Sequence, residues 1–362
     1  MSSLMSRPDP DFWRGKRVLL TGHTGFKGGW TACWLQKLGA KVSGLALEPE
    51  TTPDLHSTMR LTYESETIAD MRIAETVKDV VREVSPQIVL HMAAQPLVRR
   101  SYKDPAGTIA TNVMGTTNLL TALLETQMLK AILVITSDKA YDNASYTNGE
   151  KQKPFTESHP LGGRDPYSAS KGAQEIIARS FAESFFSKRG VPVATARAGN
   201  VIGGGDWSED RLLADVVRAI AAGETIHVRN PRATRPWQHV LEPVAGYLMF
   251  AQALVAGQFE ERALNFGPLH SHTVAQVVDI ACTSWPGAKP WKHDANTGPA
   301  EAAALELDSS RAAATLGWRP RLDLEQSVSL TTQWHQEFVR GAEMLALTQK
   351  QIASYEAILA ST

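Results

Sequence analysis

The sequence predicts an α/β fold: a twisted, doubly wound parallel sheet with helices on both faces and a smaller C-terminal lobe interleaved with it. Three observations carry that expectation. Short continuous apolar runs recur at Lys16–Thr21, Lys41–Leu47, Pro86–His91 and Ala131–Thr136, as buried parallel strands require. Longer stretches of helical period separate them, so strand and helix alternate along the chain. A glycine-rich turn follows the first run directly, which makes strand, turn, helix and second strand a βαβ unit.

That turn is Gly22-His-Thr24-Gly25-Phe26-Lys27-Gly28, followed by an amphipathic helix containing Trp30, Trp34 and Leu38. Glycines here let the backbone approach a pyrophosphate, whose charge the helix N-terminus favours. Gly22, Thr24, Gly25, Phe26, Lys27 and Gly28 are therefore expected to hold a dinucleotide in a Rossmann-type arrangement. The second strand closes Leu45-Ala-Leu-Glu48, with no aspartate at its tip for the ribose hydroxyls and no arginine for a 2′-phosphate. NAD is thus expected over NADP, and loosely held. Asp70, beside Met71, follows the third apolar segment (Glu66–Ala69). It either accepts from the adenine amino group or caps a helix over Ile73–Val84. Pro86–His91 opens into Met92-Ala93-Ala94-Gln95, where small residues let a cofactor lie over the backbone. Asn112 starts the next helix and either binds strand backbone or caps a turn. Ser137-Asp138-Lys139 stand at the carboxyl end of the fifth strand, the edge that carries the ligand crevice in open α/β sheets.

Thirty residues further on comes Tyr167-Ser-Ala-Ser-Lys171. Residues four apart share a helix face, so the hydroxyl and the ammonium can converge. A cation beside a phenol lowers its pKa from about 10, and such a tyrosine can take the proton of an alcohol. The plainer alternative is an amphipathic helix that happens to contain both residues. Another apolar strand, Pro192–Ala196, leads through Arg197-Ala-Gly-Asn200 into Gly203-Gly-Gly-Asp-Trp207, Arg211 and an apolar helix over 212–222. This suits a loop that folds over a ligand, with Trp207 either stacking on it or anchoring the loop. Arg229, Arg232 and Arg235 form a local basic run able to clamp a diphosphate. His239 either lines the pocket or is structural, and Glu301 and Arg311 fall near the nucleotide without an assigned role.

These motifs, from Gly22 to Leu316-Gly-Trp-Arg-Pro320, resemble the extended branch of the short-chain dehydrogenase/reductase superfamily. Within it the chain is similar to the sugar-nucleotide 4,6-dehydratases. Those carry Thr-Asp-Glu where this chain has Ser137-Asp138-Lys139. The Ser-Asp-Lys form, together with Thr21-Gly-His-Thr-Gly-Phe-Lys-Gly28 and Arg197 to Trp207, resembles the branch acting on CDP-glucose. The resemblance implies a lyase that uses NAD transiently. Tyr167, supported by Lys171, would deprotonate the 4-hydroxyl, and Ser137 would hold the 4-oxygen. Asp138 would protonate the departing 6-hydroxyl, which requires a raised pKa. Lys139, replacing a carboxylate, would take the C5 proton as a neutral amine, or would stay charged and stabilise the enolate. The resemblance also implies substrate contacts from Asn200 and Arg235, and Gln95, Trp207, Arg211, Arg229 and His239 are expected beside them. Cytosine over another base rests on resemblance alone. An epimerase of the same fold, or a dinucleotide sensor that no longer turns over, are the rival functions; the intact Tyr167–Lys171 pair speaks against the second.

Lys+Arg 37 against Asp+Glu 38 gives a net charge of −1, which argues against nucleic-acid or membrane partners. Cys33 and Cys282 have neither metal-ligand nor disulfide spacing, so no metal is expected and a reducing cytoplasm fits. Residues 1–11 lack the apolar run of a signal peptide, and no apolar segment is long enough to span a bilayer. The expected division is 12–198 plus 236–268 for the nucleotide lobe and 199–235 plus 269–362 for the sugar-nucleotide lobe. Helices over 112–124 and 167–187 carry apolar stripes. In the resembled superfamily such helices pair into a four-helix bundle, which implies a homodimer unless both stripes are buried in the monomer.

Overall fold

The computed structural model describes residues 6–142, 153–257, 262–294 and 306–361. Glu301, expected near the nucleotide, lies outside the described residues. The central sheet has seven strands: β1 (Arg17–Thr21), β2 (Lys41–Ala46), β3 (Ser65–Ile68), β4 (Ile88–His91), β5 (Ala131–Ile135), β6 (Val193–Ala198) and β7 (Ala263–Phe266). Their order is β7-β6-β5-β4-β1-β2-β3, and every neighbouring pair is parallel. The chain runs outward from β1 to β3, then crosses back to β4. A crevice therefore opens between the carboxyl ends of β1 and β4, where the winding reverses. Strands β4, β5 and β6 are buried on both faces, which is why they read as unbroken apolar runs; edge strand β3 alternates.

Ten helices carry the account that follows: α1 (Phe26–Lys37), α2 (Leu55–Met59), α3 (Ala74–Val84), α4 (Pro166–Phe181), α5 (Leu212–Ala221), α6 (Leu241–Val255), α7 (Val274–Ser284), α8 (Ser310–Leu316), α9 (Leu324–Val339) and α10 (Met344–Ala360). One face of the sheet packs Val18, Leu20, Ile88 and Leu133 against α1 and α6. The other packs Leu19, Val89, Ile132 and Val134 against α3, α4 and a helical run over 105–125. A separate smaller core joins α5, α7 and α9 through Leu213, Val216, Val277, Val278 and Val328.

Two local expectations are corrected. Helix α1 is not amphipathic: from Gly28 to Leu35 every residue is buried. Helix α10 covers the side that would otherwise face water, with Trp34 Nε1 donating to Glu356 at 2.8 Å and Lys37 pairing with the same carboxylate at 2.5 Å. The 269–362 stretch is thus split by its packing, because α8 and α10 join the core built on α1 and α6, α7 joins the smaller one, and α9 contributes to both. Asn112, for its part, does not start a helix. Asp104 caps a helix that begins at Pro105, and Asn112 lies inside a π-helical turn, Ala110–Met114, before the run resumes at Gly115. The stripes on this run and on α4 with the π-helical turn that continues it (Ala182–Phe186) are not wholly consumed by packing within the chain: Ile109, Met114, Ile176 and Phe185 stay exposed.

Candidate active site

A cavity of about 1230 Å³ opens along the carboxyl ends of β1, β4 and β5 and is covered by the 199–211 segment. Its floor starts at the turn after β1. Gly22 has φ +76°, and a Cβ there would lie 2.7 Å from the Ala93 nitrogen; one on Gly28 would lie 2.0 Å from the Gly22 carbonyl oxygen. Only glycine permits this approach. Gly25 caps α1 without any side-chain hydrogen bond, so the first-turn N–H groups have no side-chain partner there. Gly22, Thr24, Gly25, Phe26, Lys27 and Gly28 all line the cavity, as do Asp70, Met71, Ala93, Ala94 and Gln95. Thr24 Oγ1 donates to the Leu47 carbonyl at 2.9 Å, tying the turn to the end of β2. Asp70 is not a helix cap: α3 begins at Ile73 without a side-chain cap, and the Asp70 carboxylate instead accepts from Arg72 through both its backbone and its guanidinium.

Asn112 is fully buried outside the cavity. Its Oδ1 accepts from Gln95 N at 2.7 Å, and its Nδ2 donates to Gln95 O at 3.1 Å and Ser170 Oγ at 2.8 Å. Of the two roles expected for it, binding the backbone after a strand is the one observed, and it positions Gln95 and α4 rather than a ligand.

Ser137, Asp138, Lys139, Tyr167 and Lys171 line the same cavity. Strand β5 delivers the first three into a short 3-10 turn, with Ser137 capping it. Asp165 caps α4 and Pro166 opens it, which brings Tyr167 and Lys171 onto the facing side one turn apart. Asp138 is 3% exposed; its Oδ1 accepts from Ser137 Oγ at 2.9 Å and its Oδ2 is buried without a partner. Burial raises the Asp138 pKa, against the pull of Lys139, the Ser137 hydroxyl and Arg235. Burial pushes Tyr167 up to about 12, while a hydrogen bond with Ser137 and the charge of Arg211 pull it down. Lys171, 6.0 Å from the Tyr167 ring centroid, is itself depressed to about 7 by burial and by the neighbouring Lys27. Lys27 falls to about 8 through burial and Arg211, against Asp138 and Asp206. The amines beneath this cavity thus share one pool of charge. Below them Glu175 is held by Thr136, by Thr195 at 2.6 Å and by both arms of Arg197, and Arg197 in turn donates to Tyr141 at 2.8 Å.

Asn200, Trp207 and Arg211 line the opposite wall. Trp207 meets Trp334, His335 and Phe338 edge-on at 4.9–5.6 Å, so it anchors its loop. The Arg211 Nε is buried and has no hydrogen-bond partner. Three expected contacts are not in the cavity lining. Arg229 sits at the rim and pairs with Asp210 at 3.5 Å. Arg235 is buried behind the lining, where its charge reaches Asp138. His239 is fully buried beside Trp30 and outside the cavity lining, its ring held near a pKa of about 3 by burial. Arg311 pairs with Glu157 at 3.6 Å and does not line the cavity.

The sequence passed over Arg99 and Arg100, which line the cavity mouth and bridge to Asp210 at 3.1 Å and to Glu50 at 2.5 Å. Two adjacent arginines just after Gln95-Pro-Leu were the available signal.

Comparison with known proteins sharpens this picture. Residues 19–331 match the family described as GDP-mannose 4,6 dehydratase. The chain is 44% identical over 357 residues to a CDP-glucose 4,6-dehydratase of Salmonella typhimurium, covering 96% of this chain and 98% of that one. A dTDP-glucose 4,6-dehydratase of Xanthomonas campestris is 28% identical, with 89% and 95% covered. Among solved structures, a UDP-glucose 4-epimerase of Thermotoga maritima with UDP-glucose matches with a TM-score of 0.78 at 22% identity, covering 89% of this chain and 99% of that one. A dTDP-glucose 4,6-dehydratase of Bacillus anthracis in complex with NAD matches at 0.72 and 19% identity, covering 91% and 100%. At such identities these two share the fold. The family match runs from β1 into α9 and takes in the glycine turn, the end of β5 and the Tyr167–Lys171 helix, so the chain belongs to the GDP-mannose 4,6-dehydratase family of extended short-chain dehydrogenases/reductases.

Proposed function

We propose that this chain catalyses the NAD-dependent 4,6-dehydration of CDP-D-glucose to CDP-4-dehydro-6-deoxy-D-glucose and water. The observation that carries the proposal is the Ser137-Asp138-Lys139 run in one cavity with Tyr167 and Lys171, in a chain 44% identical to a CDP-glucose 4,6-dehydratase. The glycine turn and the uncapped start of α1 fit the pyrophosphate of NAD, Asp70 and Met71 its adenosine, and Ala93 to Gln95 with Tyr167 and Lys171 its nicotinamide end. The chemistry it supplies when bound is reversible: a hydride leaves C4 and returns at C6.

The residues do the rest. Tyr167 takes the 4-hydroxyl proton while Ser137 steadies the 4-oxygen. The ammonium form of Lys171 favours the phenolate. Once C4 is a ketone, the C5 hydrogen is acidic; Lys139 removes it, and a proton returns to C5 as the hydride reaches C6. Asp138, whose burial favours the protonated form, gives its proton to the departing 6-hydroxyl. The unpaired Arg211 Nε and the arginines at the rim supply donors for the diphosphate. An epimerase needs no acid and base for C6, so Asp138 and Lys139 favour elimination.

Two copies of the chain pair through the 105–125 run and α4 with its π-helical continuation, which covers Ile109, Met114, Ile176 and Phe185. Two free cysteines and no membrane-crossing helix among the described residues suit a reducing cytoplasm.

Incubation with NAD and CDP-, dTDP-, GDP- or UDP-linked hexoses tests the function. An alkali-sensitive 4-keto product from CDP-glucose above the others is expected. Turnover of another nucleotide's sugar in its place, or a C4 epimer as product, would replace the proposal.

A further inference from the structure

Outside the cavity, one cluster of metal-ligating side chains stands out among the described residues: His23, His56 and Glu66. They lie far apart in sequence and come from three elements. His23 sits between Gly22 and Thr24 in the turn after β1, His56 lies on α2, and Glu66 projects from edge strand β3. Glu66 Oε1 is 2.7 Å from Nε2 of His23 and 2.7 Å from Nε2 of His56. All three donor atoms fall within 4.8 Å of one another.

The fold fixes both rings. Gly44 on β2 leaves the space for His23, because a Cβ there would lie 2.6 Å from its Nδ1. Tyr63 meets His23 edge-on at 4.8 Å and stacks on His56 at 6.1 Å and 18°. His23 is fully enclosed, whereas the His56 and Glu66 side chains are 22% and 33% exposed, so solvent reaches one side of the cluster. Burial lowers the pKa of His23 against the pull of Glu66.

We propose that His23, His56 and Glu66 bind a divalent transition-metal ion, zinc(II) by preference, and that the ion pins the glycine turn to β3. Two imidazoles and one carboxylate oxygen form a borderline donor set that suits zinc and disfavours calcium or magnesium, which take oxygen ligands. A tetrahedral ion with ligands at about 2.0–2.1 Å holds its donors about 3.3 Å apart, so Glu66 retreats by roughly half an ångström from each nitrogen while the two nitrogens, within 4.8 Å of each other, adjust to the same spacing. The exposed side admits water as the fourth ligand. Gly22 and Thr24, the neighbours of His23, line the cavity, so the ion would act on the cofactor-binding turn from behind without touching a reacting atom.

The test uses the full chain, stripped with a chelator and titrated with zinc chloride. One zinc per chain is expected, with a Kd tighter than about 10 µM, and cobalt(II) should give the visible spectrum of a tetrahedral site. His56→Ala and Glu66→Gln should each weaken zinc binding at least about 100-fold, since each removes a direct ligand. Both positions are solvent-reached, and Glu66→Gln serves should His56→Ala fail to fold. Hydrogen exchange at 22–25 should slow with zinc in the parent chain and not in the variants. Substoichiometric zinc, or zinc affinity unchanged by both substitutions, overturns the site. Unslowed exchange in the zinc-loaded parent overturns the pinning.

Discussion

Asp138→Asn divides the proposed reaction at its middle. The side chain is buried, its Oδ1 bonded to Ser137 Oγ at 2.9 Å and its Oδ2 without a partner. An amide has the same outline and keeps the Ser137 bond, so nothing around it must repack. What disappears is the acidic proton. General acid catalysis contributes about 10²–10⁴-fold, or about 3–5 kcal/mol of barrier. Oxidation at C4 does not use that proton. Rapid mixing of the variant with NAD and CDP-glucose should therefore show reduced nicotinamide accumulating, while 4-keto-6-deoxy product forms slower by that factor. Stability moves the other way. Burial raises the folded pKa of Asp138 above its unfolded value, so the folded state binds the extra proton. Its stability is greatest below the unfolded pKa of about 3.9 and is lost as pH rises through the folded one. Asparagine carries no such cost, and the variant's thermal midpoint at neutral pH should equal or exceed the parent's. A variant that dehydrates at the parent rate, or that loses C4 oxidation together with dehydration while staying folded, refutes the acid role.

Tyr167→Phe should lower C4 oxidation and net dehydration together by about 10²–10⁴-fold, since both need its proton transfer; unchanged turnover would count against every catalytic assignment. Because β2 ends without an aspartate at its tip for the ribose hydroxyls, and Glu48 lies two residues past its end, protein dialysed extensively should carry less than one NAD per chain, and a full complement would contradict this. Gly28→Ala puts a methyl 2.0 Å from the Gly22 carbonyl oxygen, so NAD affinity should fall at least about tenfold in a calorimetric titration. Burial pushes Glu242 up to about 7 from its ordinary 4.5, although Tyr355 and the Arg321 and Leu322 amides donate to it. That stability is full below pH 4.5 and lost as pH rises to about 7, by about 3 kcal/mol; urea midpoints for Glu242→Gln should lack this slope.

The nucleotide-binding half was legible because its signals are local. Continuous apolar runs mark β1, β2, β4 and β5, and the glycine turn is a matter of backbone space within seven residues. What stayed hidden depends on partners distant in sequence. Helix α1 looked amphipathic because nothing near it in sequence announces α10. Asn112 looked like a helix start because a π-helical turn has no compositional mark. The Tyr167–Lys171 spacing predicted convergence, and both residues do line the cavity. It could not predict that burial, with Lys27, would lower the very ammonium expected to lower the phenol. His23, His56 and Glu66 have no motif spacing at all; only the pairing of β2 with β3 assembles them. His239 was one of two readings from sequence, and it lies buried beside Trp30, outside the cavity lining.

The contact between Trp34 and Glu356 spans 322 residues. During synthesis the flank of α1 is complete long before its cover has been translated. A nascent chain therefore carries a tryptophan-bearing, sticky surface for most of its time on the ribosome. The sheet around α1 can begin folding early, but this flank is sealed only once α10 has been made.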